Sequence, residues 1–268
     1  MNPDPSTGTG GGGLRALEFT PRPGAAPFSR QVAAQASMEA RLMLRNGEQL
    51  LLAVVIPVIV LIGCVTGAHR VGISFRNPAV DVFTPGVLAL AVMSTAFTSL
   101  AIMTGFERRY GVLKRLGSSP LPRSGLLAGK VIALLVIETL QVAVISVVAF
   151  ALGWDPEPQL LGVVLAIVLG TAAFASLGLF MAGVLRAEAT LAAANLVYLL
   201  LMAGGAVVLP ARAYGALGDV VRWLPSGALG DAMREALIGG RIDAVDLAVL
   251  LGWAVVGTVL TARTFTWE

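Results

Sequence analysis

A single cysteine, a single histidine and a charged content of 13% are what this 268-residue chain has least of, and each shortage removes a class of function. Cys64 lies inside an apolar run, so neither an intrachain disulfide framework nor a thiolate metal cluster is available, and it reads as a small buried hydrophobe. His69, at the end of the first long apolar run, has no second histidine with which to build a His-Glu-x-x-His zinc site, and reads as structural or interfacial. Gly125-Leu-Leu-Ala-Gly129-Lys130 invites comparison with a phosphate loop. Three residues separate its glycines where that motif needs four, and Val131 stands where Ser or Thr is required, so the chain reads as carrying no nucleotide site. With histidine, metal and nucleophile constellations missing, a membrane enzyme is disfavoured.

What the chain has instead is apolar surface. Hydrophobic residues make up 56% of it, and the mean hydropathy is +0.83. A soluble domain is about one-quarter charged, so this is an integral membrane protein. Its length holds about six helical spans of roughly 20 residues plus short loops. The net charge of +3 and the pI near 9.5 do not indicate nucleic acid, because the basic residues cluster at span ends rather than along a stripe. Lysine is scarce beside arginine, and Ala, Val, Gly and Leu abound, a composition that points to a high-GC bacterium and hence to a bacterial inner membrane.

Residues 1–28 are rich in Gly, Pro, Ser and Thr and are expected to form a disordered cytoplasmic tail, with no signal peptide visible before the first apolar run. Residues 29–48 change to a helical pattern with Ser29 as N-cap: Val32, Ala36, Ala40 and Met43 share one face, and Arg41, Arg45 and Glu48 line another. That predicts a helix lying in the cytoplasmic interface. Spans follow at about 50–68, 82–106, 131–152, 160–185, 191–209 and 244–263, with Pro57 expected to kink the first. The short acidic link 153–159 lacks Lys and Arg, as an outside turn should, and both termini come out cytoplasmic. Arg186 to Thr190 is expected to be a minimal cytoplasmic turn. In the fourth span, Ala166 with Gly170 and Gly178 with Ala182 supply small-x-x-x-small packing faces. Between the fifth and sixth spans, Ala213 to Leu224 and Gly227 to Leu237 are too short to cross, are separated by Pro225-Ser226-Gly227, and read as interfacial or re-entrant external helices. Phe265 and Trp267 suit the interfacial belt.

One stretch has a readable job. Between Glu107 and Lys130, Arg108, Arg109, Lys114, Arg115, Arg123 and Lys130 stand against the single acid Glu107, which marks a cytoplasmic loop. Its first half predicts a short helix with Val112, Leu113 and Leu116 on one face, stopped by Gly117-Ser118-Ser119-Pro120. Such a helix can lay its ridge in a groove of a soluble partner, or simply touch anionic headgroups.

Glu107-Arg108-x-x-Gly111-x-Leu113-x-x-Leu116-x-x-x-Pro120, leading into the next span through Gly129-Lys130, resembles the loop between the second and third spans of type-2 ATP-binding-cassette (ABC) permeases, of the drug and lipid exporter branch with its daunorubicin-resistance-like membrane subunits. The resemblance implies an all-α fold of six transmembrane helices with an N-terminal interfacial helix and a cytoplasmic coupling helix. It also implies short re-entrant helices at the outer mouth, where Trp223-Leu224-Pro225 through Arg234 is similar to the family's broken element. Glu107, Arg108, Gly111, Leu113 and Leu116 would then receive the motion of separate ABC ATPase subunits, which hold ATP and Mg, while two permease chains pair, as homodimer or heterodimer, to move a hydrophobic or amphipathic compound out of the cell.

Within the spans, Glu138 and Asn195 are candidate pathway residues. A carboxylate near mid-membrane costs about 2.5 to 3.5 kcal/mol on insertion scales and should face the bundle interior or a wet cavity. Glu138 could touch substrate, relay protons, be neutralised by protonation or bond to Asn195. A proton-coupled secondary transporter using Glu138 is the competing reading.

Overall fold

The computed structural model describes residues 26–72, 77–116 and 121–264, with all their side chains except those of 48–52, 113, 116 and 123. The expected disordered tail before residue 26, the stop at 117–120 and the terminal aromatics lie outside the described residues. Among these residues there is no strand. The α-helices are α1 (Phe28–Arg45), α2 (Gly47–Val71), α3 (Ala79–Met93), α4 (Leu100–Arg109), α5 (Val112–Leu116), α6 (Arg123–Ala151), α7 (Leu160–Val184), α8 (Ala187–Gly204), α9 (Gly218–Val221), α10 (Pro225–Leu237) and α11 (Ala244–Thr264). A π-helical segment, Ser94–Ser99, joins α3 to α4 in one rod, and a 3-10 segment, Ala211–Leu217, precedes α9.

Six stretches are long and apolar enough to cross a membrane: 53–71, 79–109, 124–151, 160–184, 187–204 and 244–264. The second is the centre of the bundle, 72% buried against 17 to 44% for the others. A helix that is apolar all round belongs inside, and α3 has no polar face: every residue from Val82 to Met93 is buried. Its neighbours are α2, α6, α7 and α10, and α11 packs along α7. The small residues predicted to pack on α7 do so: Ala166, Gly170, Gly178 and Ala182 are all buried.

Several expected boundaries move, each for a local reason. Pro27, not Ser29, is the N-cap of α1, its extended φ of −51° and ψ of 142° setting the start while Ser29 falls inside the first turn. α2 continues through Pro57. The cationic island is no single loop: α4 runs to Arg109 and α6 begins at Arg123, so Gly125 to Lys130 is helical. The turn after α7 is shorter than expected, because Arg186 in extended conformation already caps α8, its carbonyl accepting from the Thr190 N–H (2.8 Å) and hydroxyl (3.0 Å).

The fifth span ends at Gly204 rather than Leu209, the glycine pair Gly204-Gly205 being a poor helix continuation. The chain then runs non-helically under α10, with Ala206 at φ +57°, a left-handed conformation rare outside glycine. α10 holds it there: Ser226 Oγ donates to the Gly205 carbonyl (2.8 Å) and Arg234 donates to the Val207 carbonyl (2.7 Å). Pro225 is the first residue of α10, not part of a separator, and the expected piece from Ala213 resolves into the 3-10 segment and α9. Arg234 also pairs with Asp231 at 2.7 Å. Burial pushes the Asp231 carboxyl up and the Arg234 guanidinium down, each opposed by the other's charge.

Candidate functional site

Chain alternation puts the end of α1, the start of α2, the end of α4, α5, the start of α6 and the α7–α8 turn at one end of the bundle; α9 and α10 lie at the other. The first of these is the α5 end. Here α4 stops at Tyr110, and Gly111 takes φ +67°, where L side chains are strained, to turn the chain into α5. Leu113 and Leu116 lie on the five-residue α5; their side chains are outside the described set.

Three side chains of α4 tie this turn to the rest of the bundle. Arg108 donates to the carbonyls of Ala182, Gly183 and Leu185. These are end carbonyls of α7 without intrahelical partners, and a cation there also meets the negative pole of the helix. Arg109 pairs with Glu188 in the first turn of α8, in a contact exposed enough to contribute little. Glu107 Oε1 meets Lys130 Nζ of α6 at 2.8 Å, and the same ammonium lies 3.0 Å from Glu39 Oε1 of α1. Gln35 donates to Glu39 at 2.8 Å. Lys130 and Glu39 are almost fully buried, with side chains 1% and 3% exposed.

This Glu39–Lys130–Glu107 cluster links α1, α4 and α6, and only one of its three members was a sequence candidate. The close approach that makes it possible is set by Gly129, where a Cβ would lie 2.6 Å from Gln35 Cγ. Lys130 counted as a loop cation and Glu39 went unread. The available signal was that Glu39 interrupts the stripe Val32, Ala36, Ala40, Met43, all buried, and a charge on a buried stripe requires a partner.

The two pathway candidates part company. Glu138 is buried between α6 and α7, its Oε2 accepting from the Thr171 hydroxyl at 2.6 Å, while Oε1 has no hydrogen-bond partner among the described residues. It does not bond to Asn195. Gln141, one turn on, accepts from Thr95 of the π-helical segment (2.9 Å) and donates to the Ala53 carbonyl of α2 (2.8 Å). Asn195 donates to the Leu191 carbonyl of its own helix (2.9 Å) and lines a pocket of about 500 Å³ between α2, the π-helical segment, α4 and α8. That pocket mixes polar and apolar lining, with Asn46, Ser94, Thr98, Ser99 and Tyr198 beside Ile56, Ile102 and Met103. Among the described residues no charged side chain lines it. A π-helical turn widens the rod and presents its hydroxyls there, and such turns are frequent at functional sites. Among the described residues, no group of His, Cys, Asp or Glu could hold a metal ion.

No curated protein matches the chain. A model of the ABC-2 type transporter family matches residues 30–238, from the first turn of α1 to the end of α10. That span takes in the α4–α5 turn, the buried cluster and the pocket, and covers most of the sequence. The chain therefore belongs to the ABC-2 type transporter family, as the membrane permease subunit of an ABC transporter.

Proposed function

We propose that this permease exports a hydrophobic or amphipathic compound, a drug, antibiotic or lipid, across a bacterial inner membrane, with both termini and the α5 end in the cytoplasm. Separate ABC ATPase subunits, holding ATP and Mg, dock at α5. A second permease chain completes the transporter. One observation carries this reading: the α4–α5 turn is fixed to α7 through Arg108 and to α1 and α6 through Glu107 and Lys130. A push on α5 therefore moves four helices together rather than bending a loose link. Leu113 and Leu116 supply the apolar contact to the ATPase, and Gly111 the turn that presents them.

The pocket beside Asn195 suits the cargo, since its described residues offer hydroxyls and amides among apolar side chains. A proton-coupled mechanism through Glu138 gains no support from this arrangement, because Glu138 is not among the residues lining the pocket. Co-purification tests the proposal. An ATPase that binds the wild-type chain and is released by Leu113→Asp with Leu116→Asp supports it, whereas transport that follows a proton gradient without ATP overturns it.

A further inference from the structure

Two hollows meet at Ala244, the first residue of α11. One is an apolar groove of about 670 Å³ along the outward face of that helix, floored by Ala244, Ala248, Gly252 and Val256 and walled by Trp223 and Trp253. The other is a polar hollow of about 320 Å³ lined by Glu235, Arg241, Ile242, Asp243 and Ala244. The floor is low because Ala244, Ala248 and Gly252 recur at every fourth position and so stack along one helix stripe. A Cβ built on Gly252 meets nothing within 4 Å. The wall is fixed, since the Trp253 indole N–H donates to the Trp223 carbonyl at 2.9 Å.

Depth and charge decide what fits. From Ala244 to Val256 the helix rises about 18 Å, a little over half of a roughly 30 Å hydrocarbon core. The groove is therefore one leaflet deep. The small residues that let a neighbouring helix approach closely end at Gly252, and Val255, Val256 and Val259 are exposed after it. At the mouth stand both signs of charge. Arg241 pairs with Glu235 at 2.8 Å, Asp243 heads α11, and the Arg222 guanidinium lies 5.9 Å from the Trp223 ring centroid. Trp223 itself is 57% exposed, as expected of an aromatic at the headgroup level.

We infer that this composite site holds one phospholipid of the surrounding bilayer with an ethanolamine-type headgroup. One acyl chain lies in the α11 groove, the phosphate meets the guanidinium groups of Arg222 and Arg241, and the primary ammonium meets Asp243 and Glu235. A choline headgroup carries the same charges but no N–H to donate to a carboxylate, and a glycerol headgroup lacks the cation, so both bind less well.

Native mass spectrometry of the delipidated full chain, titrated with dioleoyl phosphatidylethanolamine, phosphatidylcholine or phosphatidylglycerol, tests this. The wild type retains one phosphatidylethanolamine per chain in preference to the other two. Gly252→Leu, which fills the groove from an exposed position, lowers retention of all three by about tenfold or more with an unchanged melting temperature. Glu235→Gln with Arg241→Gln, on an exposed ion pair, leaves retention but erases the preference. Equal retention of the three lipids by the wild type, or unaltered retention by Gly252→Leu, overturns the assignment. So does efficient cross-linking between two copies through Ala248→Cys in a Cys64→Ser background, which gives the groove to a second chain.

Discussion

Lys130 Nζ lies 2.8 Å from Glu107 Oε1, joining α6 to the end of α4 in a position where the ammonium has lost nearly all contact with solvent. Glu39 shares that ammonium, so two carboxylates depend on one cation. Breaking a buried ion pair by removing one partner costs about 3 to 5 kcal/mol, whereas replacing all members with apolar or neutral groups of similar volume is often neutral. Lys130→Met should therefore unfold more readily, by about that amount, in thermal or denaturant titration of the detergent-purified protein. Adding Glu39→Gln and Glu107→Gln should restore most of the stability. The triple variant should bind the ATPase yet transport poorly, because the link from α4 to α1 and α6 is gone.

Arg108 makes a different kind of joint. Its planar fork reaches three carbonyls at the end of α7, which a lysine, with one point of charge, does not reproduce. Hydrogen bonds from a charged donor contribute about 1.5 to 3 kcal/mol each, although partial exposure lowers the sum here. Arg108→Lys should remain folded and retain ATPase in pull-downs while ATP-driven uptake into inverted vesicles falls severalfold. Loss of ATPase binding in the same variant would instead make Arg108 part of the docking surface.

The amphipathic stripe of α1 and the small-residue faces of α7 were legible in the sequence because each is a local pattern with a helical period. The six spans were legible because length and apolarity suffice to mark them. What the pattern hid was long-range. Nothing near Lys130 in the chain announces Glu39, and hydropathy alone cannot separate Val207, Val208 and Leu209 from the span before them, since they are apolar and, except for Leu209, buried under α10 rather than in a helix. Asn195 was a candidate for its polarity alone. Its place on a pocket wall depends on how α8 meets the π-helical segment, which no local periodicity encodes.

The pocket makes a prediction about specificity. Ser94, Thr98 and Tyr198 line it with hydroxyls and Asn195 with an amide. A cargo hydroxyl or carbonyl lying against this wall gains a hydrogen bond that an apolar cargo does not. Losing one neutral hydrogen bond is worth about 0.5 to 1.5 kcal/mol, or roughly two- to tenfold in affinity. Thr98→Val and Asn195→Leu should each raise the KM for polar cargo by that factor, leave apolar cargo unaffected, and leave ATPase co-purification intact. Uniform loss across both kinds of cargo would mean that the residues only support packing.

Glu138 supplies the sharpest separation of an ATP-driven from a proton-driven mechanism. The Thr171 hydroxyl has one proton and lies within reach of two acceptors, the Ile167 carbonyl at 2.7 Å and Glu138 Oε2 at 2.6 Å. A glutamine at 138 has the same shape and can donate its amide N–H to the Thr171 oxygen while the hydroxyl turns to Ile167, so the local network survives. Glu138→Leu likewise leaves the Thr171 hydroxyl donating to Ile167 and removes the carboxyl oxygen that has no partner among the described residues, so it too should cost little. For an ATP-driven permease, Glu138→Gln and Glu138→Leu should both stay folded and transport at close to the wild-type rate with an unchanged pH profile. A proton-coupled carrier requires the opposite: Glu138→Gln fully folded, by melting temperature, and inactive at every pH, because an amide does not take up and release a proton in the range of the gradient.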